Sequence, residues 1–139
     1  FWYAQIAPLF CFCGILGWRI RQRSSSRDSS AKRFASLRNE MKRAVRFNDT
    51  LGFFRATRGA IREKVGALAG QEKPETLARD EVLAILLQRK ASDELISEIN
   101  EVLETADAHE FAGDASSNLP LLDWQVRMKR LLKNIRSLA

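Results

Sequence analysis

Residues 1–18, FWYAQIAPLFCFCGILGW, carry no charged side chain, and their reading decides how the rest of the chain is understood. Gln5 is the one strongly polar side chain in the run, and Pro8 the one ring that interrupts helical hydrogen bonding. A helix rising about 1.5 Å per residue would span about 27 Å here, near the hydrocarbon thickness of a bilayer. Phe1, Trp2 and Tyr3 at one end and Trp18 at the other stand where interfacial aromatic belts are expected. Arg19, Arg21, Arg23 and Arg27 follow directly. The expectation is a single transmembrane helix over 1–18, with these arginines placing residues 19 onward in the cytoplasm of a bacterial inner membrane protein. The chain opens at Phe1 with neither a methionine nor a signal peptide's basic n-region, so it reads as the C-terminal end of a larger protein.

The net charge of +6 is unevenly distributed. Residues 1–47 hold ten Lys and Arg against Asp28 and Glu40, whereas residues 72–114 hold four against twelve Asp and Glu. Basic residues beside a membrane span are attracted to anionic lipid headgroups, each by about 1 kcal/mol. Membrane lipid therefore accounts for the basicity, and no nucleic-acid partner is called for.

Ser24, Ser25, Ser26, Asp28, Ser29 and Ser30 make residues 19–30 read as a short, basic, flexible linker. Beyond it, over 31–139, apolar residues recur at three- and four-residue steps. Phe34, Leu37, Met41, Ala44 and Val45 share one face; Leu51, Phe54, Ile61, Val65 and Leu68 follow on a second helix capped by Asn48 or Asp49 and ended before Gly70. A polar connection with Pro74 leads to a third helix carrying Val82, Leu83, Leu86 and Leu87. Ser92 caps a fourth, with Leu95, Ile99, Val102 and Ala106 inside. Residues 112–120, AGDASSNLP, read as a loop. The last helix bears Leu121, Trp124, Met128, Leu131, Ile135 and Leu138, flanked by basic residues. The fold class expected is all-α: one transmembrane helix, then a small cytoplasmic domain of about five helices in helical hairpins.

Catalytic chemistry finds little support in this pattern. His109 is the one histidine, and Asp107 and Glu110 beside it sit at a helix end with no nucleophile in view. Cys11 and Cys13 lack companion ligands, Gly66, Gly70 and Gly113 are isolated, and no HExxH or CxxC spacing occurs. No catalytic, cofactor-binding or metal-binding residue and no small-molecule substrate is expected. The carboxylates from Asp93 to Asp107 read as a solvated helix face. Interfaces are anchored by aromatic and arginine residues, and Trp124, Arg127 and Arg130 form the most interface-like cluster after residue 18.

The order of these features, with TLGFFRATRGAIREKVGAL (50–68) and LARDEVLAILLQRKASDELISEINEVLETADAHEFAGDASSN (77–118), resembles the C-terminal part of BatD-type proteins, the bacterial aerotolerance family. Asp107, Phe111 and Ala112 match the end of the family's last acidic helix, while Ala78, Ala106 and Glu110 depart from its usual residues. The resemblance implies a non-enzymatic, membrane-anchored scaffold or adaptor. Its implied partners are von Willebrand factor A-domain membrane proteins and a MoxR-type AAA+ ATPase. A helical subunit of a transporter or secretion assembly is the alternative.

Overall fold

The computed structural model describes residues 3–112 and 120–138, and all regular structure among them is helical. The elements are α1 (Tyr3–Arg46), α2 (Thr50–Ala69), a 3-10 turn (Pro74–Thr76), α3 (Arg79–Gln88), α4 (Asp93–Ala112) and α5 (Leu121–Arg136). The all-helical expectation agrees with this; the transmembrane expectation does not. Among the described residues no helix is long and apolar enough to cross a membrane. Within α1 the uncharged stretch is closed by Arg19, and the basic residues that follow belong to the same helix. Gln5, Pro8, Gly14 and Gly17 dilute it further. Phe1 and Trp2 of the expected aromatic belt lie outside the described residues. Arg19, Arg21 and Arg27 are exposed on α1 and Arg23 belongs to the same helix, so the membrane-orienting role assigned to these four falls with the span.

The serine-rich stretch also differs from expectation, because α1 runs through residues 19–30 without a break. No Gly or Pro occurs between Trp18 and Thr50, and serine is a middling helix former where Arg, Lys, Ala, Leu and Met supply strong propensity. Low complexity suggested a linker; the absence of breakers decided otherwise.

The chain divides into two compact units, Phe1–Lys32 and Arg33–Ala139. The first consists of the N-terminal part of α1. The second contains the hydrophobic core, and its local stops and starts have identifiable causes. Asn48, at φ 52°, turns the chain after α1. Asp49 then caps α2, its carboxylate accepting the Gly52 N–H at 3.0 Å. Gly70 ends α2 in the left-handed conformation at φ 67°. Gly66 is required for another reason: a Cβ there would lie 2.6 Å from Pro74 Cβ, so only glycine lets the 3-10 turn fold back against α2. At α3 the Glu81 carboxylate accepts the Ala78 N–H at 2.9 Å, and at α4 Ser92 Oγ accepts the Leu95 N–H at 3.2 Å. Residues 113–119, most of the expected loop, lie outside the described residues.

α2 is the central element, touching the 3-10 turn, α3, α4 and α5. Its Phe53, Phe54, Ile61 and Val65 meet Val82 and Leu86 of α3, Ile99 and Val102 of α4, and Met128, Leu131 and Ile135 of α5 in one buried cluster. Met41 and Ala44 bring the C-terminal part of α1 into the same cluster. A charge is buried with them: Glu63 on α2 is 5% exposed and pairs with Arg33 of α1 at 3.5 Å, and Arg33 also reaches Glu75 at 3.5 Å. A buried carboxylate is tolerable only with such a partner.

Candidate protein-binding surface

Trp124, Arg127 and Arg130 lie on α5 at three-residue steps, which brings them to one side of the helix. Trp124 is half-buried, its ring edge-on to Phe54 at 5.3 Å and 75°. The Arg127 guanidinium stands over the Trp124 ring at 5.0 Å, a cation–π contact. Both arginines are engaged within the molecule. Arg127 donates to Glu98 at 3.1 Å and to Glu101 at 2.8 Å, and Arg130 donates to Glu98 at 3.0 Å. The hydrogen bonds and charge of Arg127 hold the Glu101 carboxyl below its ordinary value, and the same bonds raise the Arg127 pKa. This cluster thus clamps α5 to α4, and Glu98 and Glu101, two of the carboxylates expected on a solvated face, are its other half.

A second clamp joins α2 to the end of α4. Arg58 pairs with Asp107 at 2.9 Å and with Glu110. His109 lies between these two carboxylates in sequence, and its ring stacks on Phe54 at 4.8 Å and 6°. It is a packing residue of the α2–α4 contact, and the described residues contain no group of His, Cys, Asp and Glu that could hold a metal ion.

The α4–α5 clamp has a measurable weight. Reversing both arginines, Arg127→Glu with Arg130→Glu, turns three attractive pairs into repulsive ones at partly exposed positions, where each pair contributes under about 1 kcal/mol. The expected loss is roughly 1–2 kcal/mol of unfolding free energy in urea at neutral pH. The folded-state pKa of Glu101 is depressed, so its contribution is present above the unfolded value and fades as pH falls through the folded one. The gap between wild type and variant should therefore narrow on acidification; a gap independent of pH would refute the clamp.

A concave surface forms where α1, α2 and α5 converge. This groove, of about 250 Å³, has Phe34, Met41 and Leu132 among its apolar lining residues. Arg38 and Lys42 line it from α1, and Lys129, Lys133 and Arg136 line it from α5. Lys64 enters from α2, its ammonium 4.1 Å from the centre of the Phe34 ring. Burial, then the nearby charges of Arg136 and Arg38, lower the Lys64 pKa from its ordinary value. No carboxylate lines the groove, and none of the six cations is in an ion pair among the described residues. Periodicity gave Phe34 and Met41 an inner face and Arg38 and Lys42 an outer one. It could not show that cations from three helices, up to 98 positions apart between Arg38 and Arg136, would meet around them. Comparison with protein-family models, curated proteins and solved structures returned no match.

Proposed function

We propose that this chain is a non-enzymatic helical adaptor that binds another protein through the groove between α1, α2 and α5. One observation carries the reading: six cations surround an apolar floor with no carboxylate beside them, while Arg58, Arg127 and Arg130 elsewhere are held in internal ion pairs. Six like charges left together are a cost to the isolated fold and a gain only when an anionic surface arrives. On the resemblance to BatD-type proteins, the partners are a MoxR-type AAA+ ATPase and von Willebrand factor A-domain membrane proteins. The adaptor would act in bacterial aerotolerance and envelope stress, at the cytoplasmic side of the inner membrane.

The test is co-purification. The tagged full chain is expected to retain a MoxR-type ATPase or a von Willebrand factor A-domain protein from the same bacterium through a high-stringency wash, with capture weakening as ionic strength rises. Retention of neither would overturn the assignment of partners.

A further inference from the structure

We infer that the occupant of the groove is an amphipathic helix of a partner protein, with an apolar stripe edged on both sides by aspartate and glutamate. The inference rests on the adaptor reading and specifies the partner's chemistry. The Arg38–Lys42 pair on α1 and the Lys129–Lys133 pair on α5 are each spaced by four residues, and Arg136 follows three further on. Four and three residues are the steps at which side chains line one face of a helix. From Phe34 to Lys42 and from Lys129 to Arg136 the two walls each run for about 10–12 Å, close to two helical turns. A helix lying along the groove would set its apolar ridge on Phe34, Met41 and Leu132 and its carboxylates against both walls, the helix-in-groove mode of recognition. Lys64, partly desolvated and crowded by Arg136 and Arg38, gains most from an arriving carboxylate.

The order of the layers argues against a lipid surface. Met41 and Leu132 are buried while the α1 and α5 cations are exposed, so the apolar floor is recessed behind the charges. Interfacial helices have the opposite order, their apolar side chains reaching deepest into the bilayer. Nucleic acid would match the charge through its phosphates but has no aliphatic ridge to set against Met41 and Leu132. A second copy of the chain offers carboxylates on α4, but the apolar stripe between them, Leu95, Ile99, Val102 and Ala106, is buried in its own core.

The test titrates the full chain with a fluorescein-labelled peptide bearing leucines at alternating three- and four-residue steps and glutamates on both flanks. Expected is saturable, salt-sensitive binding with helix induction. Binding should weaken at least tenfold in Lys64→Glu with Lys133→Glu, and in the wholly exposed alternative Lys129→Glu with Lys133→Glu, provided circular dichroism shows each variant folded. A peptide with lysines in place of the glutamates should bind the reversed variants better than the wild type. Equal wild-type binding of a peptide with serines in place of the leucines would overturn the inference. So would tighter binding of phosphatidylserine-containing vesicles or of an oligothymidylate, or self-association by light scattering that the charge reversals abolish. Failure of the acidic peptide while the reversed variants still capture the ATPase or the von Willebrand protein would sink the groove and leave the adaptor standing. The converse, peptide binding without capture of either, would remove those partners and leave the groove.

Discussion

Replacing Phe54 with alanine is expected to lower the unfolding free energy by about 3–5 kcal/mol, the usual range for emptying a buried aromatic site. Phe54 is 1% exposed and sits where three helices meet. Its ring lies edge-on to Phe53 at 5.4 Å and 81°, face-to-face with His109 of α4 at 4.8 Å, and edge-on to Trp124 of α5 at 5.3 Å. Truncation forfeits the transfer free energy of the ring and leaves a void bounded by groups from α2, α4 and α5 that cannot all collapse inward. Such aromatic contacts add about 0.5–1.5 kcal/mol beyond burial. Urea unfolding followed by circular dichroism measures the loss. A value below about 1 kcal/mol would mean that the aromatic cluster does not hold these helices together.

Ile61→Ala is expected to cost about 2–5 kcal/mol, and Arg62→Ala, one residue along the same helix, under about 1 kcal/mol. Ile61 is fully buried in the face that α2 turns toward the core. Arg62 is only half-buried, and its guanidinium donates to the Glu75 carbonyl oxygen at 3.4 Å. Burial, then the neighbouring Arg58 charge, lower the Arg62 pKa, so its removal relieves some desolvation while losing that hydrogen bond. Comparable losses for the two variants in the same unfolding experiment would show that the burial of α2 is assigned to the wrong side.

The helices after Arg33 were legible because their signals are local. Asp49, Gly70, Ser92 and the three- and four-residue recurrence of Phe54, Ile61, Val65, Ile99, Met128 and Ile135 each act within a few residues, and each occupies its expected cap or buried face. Two readings failed where composition stood in for mechanism. The charge-free opening suggested a membrane span, but among the described residues no helix is long and apolar enough to cross one. The serine run suggested a linker, although nothing in it breaks a helix. At the candidate surface, periodicity placed Trp124, Arg127 and Arg130 together. It could not show that Glu98 and Glu101, 29 and 26 positions before Arg127, would engage those arginines. The groove escaped notice for the same reason, since Phe34, Lys64 and Lys133, which meet there, lie 30 or more positions apart in sequence.

The contact between Trp124 and Phe54 gives the second unit an optical gauge of its own. Trp124 is the sole tryptophan after residue 32, and its indole rests half-covered on the aromatic cluster beneath a guanidinium. Trp18, 71% exposed, already experiences solvent. The part of the emission that shifts to longer wavelength when the second unit opens therefore originates at the seam between α5 and α2, where the chain carries an internal, label-free read-out of whether its last helix is seated.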